Sequence, residues 1–546
     1  MPDPIYPSRR LPVMGRGGMV ASTQPLATAA GLEILTRGGN AADAGVATAA
    51  ALNVTEPTST GIGGDMFALY FDGSTRQVSA INGSGRAPAA LTLELLRKNG
   101  LSELPSYHPF TVTVPGACAG WCDLVERYGS LDLSDILAPA IRLAEAGFPV
   151  TTVTSHFWRK AADGQLKSAL NGREMTIEGR GPEPGEIFRN PNLAKTFRIL
   201  AEGGKEAFYK GEIGEALIAT LHQAGGCMEM DDLAVHSSTW DKPISTTYHG
   251  LRLWECPPNG QGITTLIALN LLERFDLPAE PLGADRLHLE IEALRLAFAD
   301  VRWYVADPAY RAGEAPSAGE SYEWLLSKSY AANRCSLINP LKAGLDQQRG
   351  TPLAGSDTVY FCVVDGWGNA CSFVNSNYMG FGTGIVPSGY GFTLQNRGCN
   401  FSLEPGHPNV LAPGKRPYHT IIPAMITREV DGSLFGGMGV MGGFMQPQGH
   451  LQVFLGLAQG LDPQAVLDLP RFCISDGTSG GMVDLEDGIP RRTVASLAAR
   501  GHAVRRVSGW KRALFGRGQI ILREPTTGVL TGGSDPRADG CAMAVN

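Results

Sequence analysis

No stretch of this sequence approaches the roughly 18 consecutive apolar residues that a membrane-spanning helix needs. The most apolar segment, AGVATAAALNV (Ala44–Val54), is short and alanine-rich, as in a buried helix. The opening residues, MPDPIYPSRRLPVMGRGG, lack the apolar core of a secretory signal. The expectation is a cytoplasmic protein with no membrane partner. Clustered positive charge is missing too. The formal net charge is −7, and basic residues come only in pairs such as Arg491–Arg492 and Arg505–Arg506. A nucleic-acid surface needs clustered Lys and Arg to release counterions. No nucleic-acid partner is therefore expected, and those pairs read as solvated faces. The ten cysteines include no C-x-x-C pair, and Cys118 and Cys122 sit four apart in a helical pattern. Structural zinc wants closer pairs with a second pair or histidines. Buried free thiols are expected instead, with no metal and no cofactor.

Several catalytic signatures are also missing. There is no G-x-S-x-G elbow, which disfavours an α/β-hydrolase triad, no H-E-x-x-H, and no fixed-period repeat. A G-x-G-x-x-G does occur at Gly437, Gly439 and Gly442, with Asp462 twenty residues beyond. A dinucleotide site needs a second strand between the helix and that acid. Here one helical segment, from about Gln448 to Ala458, runs straight into Asp462. A glycine loop whose N–H groups face a ligand or an oxyanion fits better. The dinucleotide reading stays as a rival that calorimetric nucleotide binding would reveal. Among ten histidines, His419 in KRPYHT is singled out, although a lone histidine is more often structural.

What is present describes a globular chain, with 43% hydrophobic and 18% charged residues. Its 546 residues suggest about two to four structural units. Helical and strand patterns alternate. QPLATAAGLEILTRGG reads as a helix stopping at Gly38–Gly39. GGDMFALYFDGSTRQVSAING alternates like a hairpin turning at Asp72–Gly73. SLDLSDILAPAIRLAEAGFPV reads as a helix capped by Ser134 and ended by Gly147, and DRLHLEIEALRLAFADVRWYV as a long amphipathic one. Residues 337–357 are polar, with Pro and Gly, and resemble a linker. It abuts a strand at Val359–Val364, followed by a turn and a second strand at Cys371–Val374. Thr358, between linker and strand, is either an ordinary β-branched strand residue or a residue that does chemistry.

Several segments, in order, resemble the γ-glutamyltransferase family of N-terminal-nucleophile hydrolases. They are Gly18–Phe67, VPG at Val114–Gly116, LAPAIRLAEAGFPV, LHLEIEALRLAFAD, and the stretch from Gly355 to Gly384 that ends in FGTG. After these come KRP at Lys415–Pro417, the pair Gly442–Gly443, and GSDPRADG at Gly533–Gly540. The resemblance implies an α+β fold, a four-layer αββα sandwich, made as one inactive chain. That chain would cut itself between Asp357 and Thr358. The products would be a large fragment, 1–357, and a small catalytic fragment, 358–546, held together as a heterodimer or as a dimer of such pairs. Thr358 would then supply both nucleophile and base. A hydroxyl needs an adjacent base, and a freed α-amine with a pKa of about 7.7–8.0 is one. Gly442 and Gly443 would donate to the oxyanion.

The departures from the family bear on substrate. The family's arginine before Ala-Pro falls near Arg86, displaced by about two positions. Its Asn falls on Tyr378, its Gln on Arg397, its Asp on Asn400, and its Ser pair on His419 and Thr420. Gln→Arg and Asp→Asn make this wall two charge units more positive. An ammonium about 4 Å from Arg397 would be repelled by roughly 4 kcal/mol at an effective dielectric of 20. A carboxylate would be welcomed by the guanidinium fork. The larger Tyr378 and His419 suggest a short pocket. The expected substrate is a small-molecule amide whose acyl group carries a carboxylate, oxamate-like on pocket size. A glutaryl (cephalosporin-type) acylase and a γ-glutamyl (glutathione) hydrolase or transpeptidase are the alternatives. A catalytically dead binding homologue is the rival of another class.

Overall fold

The computed structural model describes residues 10–310, 322–345, 358–475, 477–478 and 480–546. Asp357 and most of the linker-like stretch lie outside them. Two seven-stranded sheets organise the chain, and every neighbouring pair of strands in both is antiparallel.

The first sheet runs Cys541–Val545, Gly18–Ser22, Val359–Asp365, Ala370–Ser376, Asp65–Asp72, Gln77–Gly83, Thr239–Asp241. The second runs Val13–Gly15, Leu530–Ser534, Arg517–Arg523, Leu434–Met441, Ala424–Arg428, Leu251–Glu255, Ile244–Tyr248. Each sheet mixes strands from before and after residue 358.

Strand alternation decides which side chain goes where. Along Val359–Asp365, Tyr360, Cys362 and Val364 point into a core shared with Met425, Met441 and Ile521 of the second sheet. Val359, Phe361 and Val363 point the other way, into a core built with the helices Pro25–Thr36 and Ala41–Thr55. On the far side of the second sheet, Ala424, Ile426, Met438 and Ile520 pack with the helices Ile263–Leu272, Ala284–Tyr304 and Met445–Ala458. All fifteen residues of Ala41–Thr55 are buried, as alanine richness foretells.

Four local expectations need correcting. Asp132, not Ser134, precedes the helix Leu133–Ala146, which does end at Gly147. The helix Ala284–Tyr304 is not amphipathic, since Arg286 through Arg302 are all buried. Its charges pair internally instead, as Arg286 with Glu290 and Asp300 with Arg334. The glycines Gly437 and Gly439 are not in a loop but in the strand Leu434–Met441, where Gly439 leaves room for the Tyr360 ring. The helix after them starts at Met445, not near Gln448. The remaining local readings agree: the hairpin strands meet across residues 72–77, all ten cysteines are free, and the paired Arg505 and Arg506 are exposed ion-pair partners of Asp484 and Asp487. Among the described residues, no helix is long and apolar enough to cross a membrane.

Candidate active site

Thr358 sits where the interior strand Val359–Asp365 of the first sheet begins, and it is fully buried. The antiparallel register Val359↔Asn375 sets it opposite Ser376. Its Oγ1 lies 3.1 Å from Ser376 Oγ. Ser376 Oγ also accepts from the Tyr378 amide at 2.9 Å and from Arg397 at 3.2 Å. That amide bond helps hold Tyr378 at φ 78°, a left-handed conformation costly for an aromatic residue. The Arg397 guanidinium lies over the Tyr378 ring, 4.5 Å from its centroid.

Arg397 extends the network further. It donates to Thr420 Oγ1 at 2.8 Å. Gln261 Nε2 then donates both to the Thr420 carbonyl, at 2.7 Å, and to the Gly443 carbonyl, at 2.8 Å. A continuous polar chain thus links Thr358, Ser376, Arg397, Thr420, Gln261 and Gly443, all buried or backbone. Gln261 and Ser376 were missed by sequence reasoning. Ser376 could have been found by counting across the hairpin from Thr358.

The glycine turn is shaped for donation. Gly442 and Gly443 adopt φ of 131° and 57°, conformations that suit glycine. Both carbonyls are tied back, Gly442 O by Met445 N and Gly443 O by Gln446 N and Gln261. Neither amide N–H donates to any described residue. Two adjacent unspent donors are what an oxyanion needs.

His419 is buried and bonded to Asp65 at 3.0 Å. The Ile421 amide donates to its Nδ1, so the proton sits on Nε2 and points at Asp65. Burial, then the Arg397 charge, brings the His419 pKa down to about 4. Asp65 is ionised: burial opposes its charge, but the His419 bond and Arg397 hold its carboxyl below the usual range. Its oxygens also accept from Gly85, Gly116 and Gln395. Burial lowers the Arg397 pKa to about 10, against the pull of Asp65, so it stays charged near neutrality. Asp65 was also missed. It follows Gly63–Gly64 at a strand start, the one sequence hint. It offsets one of the two extra positive charges counted from sequence.

Arg397 and Asn400 share one turn, Arg397–Asn400. Arg397 Nε and both amide atoms of Asn400 are buried without partners among the described residues. Asn400 lines a cavity of about 290 Å³ with Arg302, His407, Asn409, Tyr418 and Phe444. Buried polar groups are usually hydrogen-bonded, so these atoms are free to take a polar partner. Arg86 is not drawn into this cluster by any described bond. Its guanidinium donates to Ser237 O and stands near Arg416 and His236.

Known proteins resemble this chain along its whole length. Residues 27–545 match the model of the family described as gamma-glutamyltranspeptidase. The chain is 35% identical to a glutathione hydrolase-like YwrD proenzyme of Bacillus subtilis, over 98% of this chain and 99% of that one. It is 33% identical to an oxamate amidohydrolase proenzyme of Klebsiella pneumoniae, covering 96% and 98%. In structure it is similar to a cephalosporin acylase from Bacillus halodurans, with a TM-score of 0.92, 45% identity, and coverage of 100% and 99%.

Proposed function

Since the chain belongs to the gamma-glutamyltranspeptidase family of N-terminal-nucleophile hydrolases, we propose that it is an acylase cut between Asp357 and Thr358. Its helix-covered, facing sheets would be the αββα sandwich. It hydrolyses amides of an acyl group that ends in a carboxylate. The freed Thr358 amine takes the proton from its own hydroxyl as Oγ1 attacks the acyl carbon. The oxyanion collects the Gly442 and Gly443 N–H bonds. The C–N bond then breaks, and the amine leaves with the proton. Water opens the ester by the same route in reverse, returning Thr358 and releasing the acid.

The observation that carries this reading is the pair of unspent N–H groups on Gly442 and Gly443, joined by a polar chain to Thr358. The acyl group is read from the orphaned donors Arg397 Nε and Asn400 Nδ2, which a carboxylate would satisfy. An α-ammonium finds little there. Asp65, the anion beside Arg397, has its oxygens already occupied, and Glu404, the acid lining the cavity, is an exposed residue. The cavity past Asn400 favours a chain of several carbons, glutaryl-like, over the oxamate-like group that side-chain size suggests.

The test has two parts. Mass spectrometry should find a fragment beginning at Thr358, and Thr358→Ala should stay whole. The cut protein should hydrolyse a glutaryl anilide faster than oxamate or a γ-glutamyl anilide. An uncut active chain would end the mechanism. Faster γ-glutamyl turnover would end the acyl assignment. No turnover of any of the three amides would favour a binding protein.

A further inference from the structure

A second cavity, of about 380 Å³, opens beside the same glycine turn, lined by Gly442, Tyr107, Lys160, Met379, Phe444 and Leu514. Phe444 also lines the cavity that reaches Asn400. Phe444 therefore lines both spaces, and Gly442, one of the two unspent donors, lines the second. An amide has two halves. If the acyl half lies toward Asn400, the amine half must leave by the other side.

We propose that this second cavity receives the leaving amine, and that Lys160 selects amines carrying a carboxylate on an aromatic or apolar frame. This rests on the acylase reading above. The walls supply the frame's partners, since methionine sulfur and aromatic rings pack adaptably on flat apolar groups. Lys160 supplies the charge. It lies in the last turn of the helix Thr152–Ala161 and is exposed. It makes no ion pair or hydrogen bond with any described residue. Its neighbour Arg159 is already paired with Glu183 at 3.0 Å. His156, one turn back, is held below its ordinary pKa by burial and then by the Lys160 charge, so it adds no competing cation near neutrality. No acidic side chain is among the described residues lining this cavity. A carboxylate on the amine would thus meet one unspent ammonium and, among the described lining residues, no opposing charge. When the C–N bond breaks, the nitrogen carries off the hydroxyl's former proton, and the amine departs through this opening.

The test compares three glutaryl amides on the cut enzyme: those of aniline, 4-aminobenzamide and 4-aminobenzoate. The 4-aminobenzoate amide should show a kcat/KM roughly two- to fivefold above its neutral isostere, as expected for an exposed pair. Raising salt from 0.05 to 0.5 M should shrink that ratio. Lys160→Met should remove it, and Lys160→Arg should keep it. Equal kcat/KM for the charged and neutral amides, or a ratio that survives Lys160→Met, would overturn the assignment. Failure to hydrolyse any of the three would instead overturn the acylase reading, and this inference with it.

Discussion

His419 and Asp65, 354 residues apart in sequence, meet at 3.0 Å in a place closed to solvent. The contact gives His419 a single tautomer and leaves Asp65 charged beside Arg397. Asp65 therefore favours the charge on Arg397 through space, with no described hydrogen bond between them. Asp65→Asn and His419→Gln should each raise KM for an acid-bearing anilide more than they lower kcat. Combined, they should cost less than the sum, with a coupling of about 1 kcal/mol or more. Additive effects would mean that the two residues act separately.

Ser376 holds three groups at once: the Thr358 hydroxyl, the Tyr378 amide and Arg397. Removing its hydroxyl unties the nucleophile. Ser376→Ala should slow self-cleavage about tenfold, the rate worth of one such bond, in a gel time course. Cleavage at the wild-type rate would show that the 3.1 Å contact is passive.

Arg397→Gln should raise KM for carboxylate-bearing acyl groups by about 10- to 100-fold, since bonds to a charged group are worth more than neutral ones. Arg397→Lys should not restore it, because an ammonium cannot span Thr420 and Ser376 as the fork does. The readout is steady-state kinetics on the glutaryl anilide. An unchanged KM would remove the charge argument.

Two glycines of the G-x-G-x-x-G should fail differently. A methyl on Gly439 would come 2.4 Å from the Tyr360 ring, so Gly439→Ala should lose about 1–3 kcal/mol of stability by overpacking. A methyl on Gly442 meets its nearest atom at 3.3 Å, but φ is 131°. Gly442→Ala should fold and yet lose about 10²–10³ in rate as its N–H is re-aimed. Thermal melts and kcat separate the two cases.

His236 is half-buried, with both ring nitrogens out of reach of solvent and neither partnered among the described residues. Burial, then Arg416, brings its pKa to about 3. A depressed pKa means that the unfolded chain takes up the proton first. The folded state then keeps this contribution above about pH 6.5 and loses it as the pH falls toward 3. His236→Phe should flatten the fall of Tm between pH 6.5 and 4.5. An unchanged slope would assign acid sensitivity to other buried groups.

Much of the fold was legible because local rules acted alone. The hairpin at Asp72–Gly73, the buried alanine helix and the strand after Thr358 follow from turn chemistry and period-two patterning. The misreadings arose where tertiary packing overrode a local pattern. The charges of Ala284–Tyr304 looked solvent-facing until they paired inside. The glycine run looked like a loop until a tyrosine ring explained Gly439. In the site, Thr358 and the glycine pair stood out by motif. Asp65, Ser376 and Gln261 did not, because each acts through partners that no sequence window contains.

From sequence alone, then, came the family, the residue at which the strand opens, and the change of charge at Arg397 and Asn400. Only the folded chain decided how those charges are balanced, which donors are left unspent, and where the two cavities lie. Residue type is written locally, whereas burial and hydrogen-bond partnership depend on neighbours hundreds of residues away.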